Sequence, residues 1–368
     1  MTSSIFFNIS AGAYIAALIT YVVFLVVRNQ KTGVVASTIT IFGFICQTIA
    51  LITRWINSYY FWLSSNPTSS FMEAVLRGAP LRNLYESLIF FVWSLIMIHL
   101  FIEFKYKNRS LGAFVTPIAA AVLLFIDISG TSKEIQPLIP ALQSNWLLFH
   151  VLISFFGYAA FGVSFGAAAA YIVTVTESKK ELTYIFWSIT IGIFLVVLIG
   201  MGIDFLSLSA AERAELIQNH FLKSTLRSPS GTVAAISWIV AIVFIAGIWH
   251  FGYGLKKVLA NLNLTSSMLD EITYKSIAIG FPLFTIGGLI MGAIWANSAW
   301  GKYWTWDPKE TWSLITWFVY ALYLHARFAG GWRGKRVAIL ALIGFVAVIF
   351  TYLGVNLVLS GLHSYGSE

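Results

Sequence analysis

Two histidines and one tryptophan cluster carry the chemistry this sequence offers. His150 follows LQSNW at the start of an apolar run, and His363 stands in GLHSYG just after the last such run. Between two further apolar runs lies WGKYWTWDPKETWS, residues 300–313, with four tryptophans, two acids and two lysines. Imidazoles beside an aromatic shelf suit a flat, hydrophobic, metal-centred ligand held from both faces. Haem is such a ligand, because its edges favour aromatic packing while axial histidines set spin and redox state. Zinc fits less well, since neither cysteines nor clustered carboxylates supply the remaining ligands. A second reading stays open here: an interfacial histidine beside tryptophan also serves as an ordinary membrane anchor.

The acids of the loop have a nearer explanation than acid–base chemistry. Asp307, Pro308 and Glu310 have the form of an N-cap, a proline at the first helical position and a reciprocal capping acid. Both carboxylates also suit the positive end of a helix dipole. Their first task is to start the following helix at a fixed place.

These groups need a membrane scaffold. Of 368 residues, 58% are hydrophobic and 10% charged, against roughly a quarter charged in soluble domains. Mean hydropathy is +0.82. Apolar runs near the ~20 residues a helix needs to span hydrocarbon recur along the chain, which implies an all-α polytopic bundle and excludes a β-barrel. Spans are expected at 8–27, 35–53, 86–104, 112–127, 147–175, 184–203, 232–255, 277–296, 308–329 and 337–358. The span count is about ten, within eight to ten. The first run lacks a basic region before it and a small-residue cleavage site after it, so it reads as a retained span. No stretch is long and polar enough for a separate soluble domain, and 1–368 reads as one membrane domain.

With ten spans the connections alternate sides. One set holds fourteen of the 23 basic residues against five acids, and the other nine basic residues against ten acids. The first set therefore faces the cytoplasm or stroma, and both termini and the tryptophan loop at 297–313 face outward. The net charge of +8 is read as topology rather than nucleic-acid binding. In the outer connection 204–231, SAAERAELIQNHFLKSTLR opens with Ser209 and Glu212 as a capping box and reads as an amphipathic surface helix, a membrane rest or a partner's dock.

On this topology His150 and His363 lie at the outer face. His325, seventeen residues past Pro308, lies about 26 Å down a helix, well into the inner half. His99 and His250 fall toward inner span ends and read as structural or hydrogen-bonded. His220 is on the outer amphipathic helix. The single cysteine, Cys46, excludes an intrachain disulfide and CxxCH haem attachment, and reads as a buried thiol. Gly162 and Gly166 form a GxxxG pattern that suits close helix packing. No Walker-type loop or nucleophile pattern stands out, which argues against an ATP-driven pump.

The tryptophan loop resembles the "WWD" signature shared by the haem-handling membrane proteins CcsA (ResC), CcmC and CcmF. Further segments narrow the resemblance to the CcsA family: RNLYESLIFF from Arg82, LQSNWLLFHV from Leu142, GAIWANSAWGKYWTWDPKETWSLITW from Gly292, YLHAR from Tyr323, GWRGKR from Gly331 and YLGVNLVLSGLHSYG from Tyr352. They span roughly residues 82–366. The first 80 residues and the region 180–275 contribute nothing diagnostic.

The resemblance implies transport of haem b across a membrane and its presentation to apocytochrome c, where two CxxCH thiols add to the vinyl groups. It implies a CcsB (ResB) partner forming a holocytochrome c synthase, or haem lyase, with thiol-reducing proteins as further candidates. Carried over by position, His150 and His363 resemble the paired outer axial ligands, and Trp300, Trp304, Trp306 and Asp307 the WWD platform. His325 resembles a ligand of an inner haem site whose opposite ligand comes from CcsB. The membrane would be a bacterial cytoplasmic membrane or a cyanobacterial or plastid thylakoid membrane. Alternatives are a haem transporter or chaperone without synthase activity, a component of the CcmC or CcmF type, and a haem-free secondary transporter. CcmC-type chains are shorter and CcmF-type chains longer, and a secondary transporter would show inverted repeats.

Overall fold

The computed structural model describes residues 2–81, 83–128, 132–136, 143–185, 188, 239, 242–243, 245–252, 254 and 264–355. The expected sixth and seventh spans lie largely outside these residues. The amphipathic segment of 204–231, His220 and His363 lie wholly outside them.

Polar caps at the connections set where each helix begins. The first helices are α1 (Thr2–Val27) and α2 (Gln30–Ser65), the latter capped by Asn29, whose side chain accepts from Lys31 N at 3.0 Å. Next come the short α3 (Phe71–Arg77), capped by Ser70, and α4 (Leu84–Tyr106), where Asn83 accepts from Glu86 N. After α5 (Gly112–Ile128), Ser144 caps α6 (Asn145–Val175). Thr265 caps α7 (Ser266–Phe284), which passes through a π turn (Thr285–Met291) into α8 (Gly292–Trp300). The chain then forms α9 (Pro308–Phe328) and α10 (Lys335–Ile349), which ends in a second π turn (Phe350–Gly354).

Among the described residues, six stretches are long and apolar enough to cross a bilayer: α1, α2, α4, α6, Ser266–Trp300 and Lys335–Gly354. The 17-residue α5 and the more polar α9 pack among them. Large apolar side chains are exposed on α1, α2, α7, α9 and α10, including Ile19, Ile45, Ile279, Phe318 and Val346. Such a surface is unsuited to water and suited to lipid. The protein is thus an all-α polytopic membrane bundle.

Two helices run past their expected spans. Hydropathy marks only the part of a helix that meets hydrocarbon, and α2 continues twelve residues beyond position 53. Trp55 Nε1 donating to Val75 O and Trp62 Nε1 donating to Ser69 Oγ bind this extension to α3 and its approach. The expected eighth span likewise extends from Ser266 to Trp300.

The centre of the bundle is α6, which packs against α4, α5, α7 and α10. Its small residues permit this. A Cβ on Gly162 would lie 2.9 Å from Leu95 Cδ1, and one on Gly166 3.1 Å from the Phe114 carbonyl oxygen. The GxxxG pair therefore does mark close packing. Cys46 is buried within α2.

The buried ionisable groups of α2 and α4 are paired, as a low-dielectric interior requires. In the C-terminal half of α4, His99 Nε2 lies 3.3 Å from Glu103 Oε2, which also accepts from Tyr21 at 2.7 Å. Ser37 donates to the other oxygen of Glu103, and Arg109 Nε to Ser37 Oγ. His99 is thus a buried, hydrogen-bonded histidine, as expected. His250 is exposed, with its ring against Phe251.

On α2, Arg54 Nε donates to Glu86 Oε1 at 2.7 Å, with the two side chains 4% and 1% exposed. Arg54 also donates to the carbonyls of Lys133 and Glu134, so it anchors the connection that leads into α6. Removing one member of such a pair leaves a buried charge without its counter-charge. Glu86→Ala is expected to destabilise the protein by about 3–5 kcal/mol in thermal unfolding, with Arg54→Met/Glu86→Leu recovering most of the loss.

Candidate functional site

His150 lies in the second turn of α6, at a height fixed by the Ser144 cap. Its Nδ1 is 2.8 Å from the carbonyl oxygen of Gly287, and its ring stacks on Trp295 at 5.9 Å between centroids and 13° between planes. A carbonyl only accepts, so Nδ1 carries the proton and Nε2 is the lone-pair nitrogen. That is the tautomer in which histidines ligate metals, with the other ring nitrogen donating to a backbone carbonyl.

The carbonyl belongs to the π turn of Thr285–Met291, where the backbone ladder leaves its ordinary register. The close approach needs glycine. A Cβ on Gly287 would stand 2.7 Å from Ser154 N, and one on Gly292 3.0 Å from His150 Nδ1 and Cε1.

The tryptophan loop joins α8 to α9. Gly301, at φ +74°, ends α8, and the Trp300 ring meets Trp295 edge-on at 4.8 Å. Trp304 and Trp306 are perpendicular at 5.8 Å. Trp306 has φ +60° and is 69% exposed. A bulky side chain in the left-handed region is strained, and such strain gathers at ligand clamps. Here it holds an indole out at the surface.

The reciprocal cap is present. Asp307 Oδ1 accepts from Lys309 N at 2.9 Å, while Glu310 Oε2 accepts from Asp307 N at 3.3 Å and Thr305 N at 2.7 Å. Glu310 thereby fixes the loop as well as the helix.

His150, Trp295, Tyr303, Trp304, Lys309, Glu310 and Tyr352 line one cavity, with Tyr158 at its wall. Trp304 Nε1 and Glu310 Oε1 are buried and have no hydrogen-bond partner among the described residues. Of the residues singled out in the sequence, the structure brings His150 and Trp304 together here. Trp300 is linked through Trp295, Trp306 touches Trp304 from outside, and Asp307 acts through the cap. His325 is not brought together with them. It sits in the last turn of α9, exposed, at the opposite end from Asp307.

Sequence reasoning passed over Trp295, Tyr352, Tyr158 and Lys309 as cavity walls. Trp295 and Tyr352 do lie in the segments that carry the family resemblance, but nothing in their spacing singles them out.

The family model described as "Cytochrome C assembly protein" matches residues 81–363. The cytochrome c biogenesis protein CcsA of Pyropia yezoensis is 36% identical over 362 residues, covering 98% of this chain and 96% of that protein. CcsA of Microcystis aeruginosa is 38% identical over 332 residues, covering 88% and 84%. CcsA of Gloeobacter violaceus is 39% identical over 293 residues, 78% of each chain. The resemblance read from the motifs is borne out, and the similarity extends beyond them to nearly the whole length.

The cap can be tested apart from any ligand. Asp307→Ala is expected to cost about 0.5–2 kcal/mol in thermal unfolding and to speed hydrogen exchange at residues 308–311, whereas Asp307→Asn stays near the parent.

Proposed function

Because the chain belongs to the cytochrome c assembly protein family and acts in cytochrome c biogenesis, we propose that it carries haem b across the membrane and presents it to apocytochrome c. The observation that carries the reading is the Nδ1 hydrogen bond of His150 to Gly287, which leaves the lone pair on Nε2 of a histidine that lines an aromatic cavity, the form in which imidazole ligates a metal.

In this reading His150 and His363 are the axial ligands of the outer site. Trp300, Trp304 and Trp306 form the shelf that fixes the ring, and Asp307 holds the shelf in register with α9. The vinyl edges then meet the two thiols of a CxxCH segment. Orientation of this kind supplies much of a rate enhancement. The distribution of basic residues supports an outer, periplasmic or lumenal, position for the loop.

His325 serves the earlier, inner site. Its exposure beside Phe318 and Leu322 on α9 supports a second ligand from a neighbouring protein, CcsB in this family. The two proteins together act as the synthase, and thiol-reducing proteins keep the cytochrome's cysteines reduced.

Co-expression with CcsB and a CxxCH reporter tests the reading. In the His150→Ala/His363→Ala double variant, the outer-site Soret absorbance and covalent haem on the reporter are both expected to be lost. A double variant that keeps both sinks the proposal. Haem binding without reporter attachment in the unsubstituted complex would favour a transporter without synthase activity.

A further inference from the structure

The cap explains only half of the Glu310 side chain. A capping box needs one acceptor oxygen, and glutamine provides it as well as glutamate. Here Oε2 takes the whole task, accepting from Thr305 N, Thr305 Oγ1 and Asp307 N at 2.7, 3.2 and 3.3 Å. Asp307 serves Lys309 N independently. Glu310 is 9% exposed, it lines the cavity of His150, and its Oε1 is buried with no hydrogen-bond partner among the described residues. A buried carboxylate oxygen calls for a donor.

The edge of an iron porphyrin offers none, since it carries carboxylates, vinyls and methyls. The polypeptide that meets the haem does offer one. In the joining reaction one donor must give up its proton, namely the thiol.

We propose that Glu310 Oε1 is the general base of thioether formation, an inference that rests on the outer cavity being where haem meets the cytochrome. The S–H bond breaks as its proton passes to Oε1, and the sulfur bonds to the vinyl carbon attached to the ring. The proton then moves from Glu310 to the terminal vinyl carbon, which becomes a methyl group. The carboxylate is restored for the second thiol. The addition is redox-neutral and needs no further reactant. On this account Glu310 is a catalytic residue, while Asp307 remains a positioning residue.

A base matters only where the thiol is protonated. With an ordinary thiol pKa near 8.5, about a few per cent is thiolate at neutral pH. The test uses Glu310→Gln in the full complex with CcsB and the CxxCH reporter. The amide oxygen keeps the cap, so melting temperature, haem content and Soret position are expected to match the parent. The rate of covalent attachment at pH 7 is expected to fall about 100-fold. It should then climb in step with the thiolate fraction, about 25-fold between pH 7 and pH 9, and so recover most of the deficit.

A parent-like rate at pH 7, or a deficit equal at all pH values, overturns the proposal. So does a shifted Soret band or lost haem, which would assign Glu310 to the iron ligands or to the cap. The unsubstituted complex gives a check that needs no variant. Its rate is expected to change by less than about threefold between pH 7 and 9, and a rise that follows the thiolate fraction, about 25-fold over that range, overturns the base role. Failure of the unsubstituted complex to label the reporter would count instead against the synthase reading.

Discussion

The hydrogen bond from His150 Nδ1 to the Gly287 carbonyl concentrates most of the local architecture on one imidazole. It requires α6 to begin at a fixed height, which the Ser144 cap supplies. It requires an acceptor from the neighbouring helix, which a π turn supplies at the point where α7 passes into α8. It also requires two backbones and a ring to come closer than any Cβ permits, which Gly287 and Gly292 allow. Trp295 then closes one face of the ring. These are requirements on the backbone, so the imidazole is oriented before any ligand arrives.

The helix α9 carries that order across the cavity. Trp317 Nε1 donates to Thr285 Oγ1 in the first π turn, and the Thr316 and Thr351 hydroxyls pair at 2.8 Å in the second. Thr351 also donates to Trp312 O. Between helices in lipid the hydrophobic drive is weak, so small-residue contacts and interhelical hydrogen bonds of this type take over. Because Glu310 holds both the tryptophan loop and the first turn of α9, the height of the shelf and the height of both π turns are set by one helix. A displacement at the cap would move three walls of the cavity together.

Much of this was legible in the sequence because it rests on residue type. Apolar runs revealed the six membrane-length stretches among the described residues, Asp307-Pro308 with Glu310 revealed a cap, and the WWD segment revealed the family. What escaped has a physical reason in each case. A π turn adds one residue to the ladder without any side-chain signature, so Thr285–Met291 and Phe350–Gly354 read as plain helix. Trp295 and Tyr352 looked like ordinary aromatic content of a span, and only three-dimensional proximity makes them cavity walls. The Arg54 and Glu86 pair joins residues thirty-two positions apart, which no local pattern signals, and it is buried and ties α2 to the approach of α6. The acids of the loop were legible as a cap, but that only one oxygen of Glu310 is used for it requires coordinates.

The treatment of ionisable groups along the bundle separates two classes. Arg54, Glu86, His99 and Glu103 are enclosed and paired, and Arg327 makes two hydrogen bonds to Asp270 where α9 meets α7. His325, one turn or less from that ion pair along the same helix, is instead exposed on the apolar face that carries Phe318 and Leu322. An imidazole facing hydrocarbon is unfavourable unless another group covers it. The bundle had the means to enclose a histidine, as His99 demonstrates, and α9 does not use them. On the proposed reading this is the expected form of half a site: a ligand must remain at the surface if its opposite number is to arrive on a second protein.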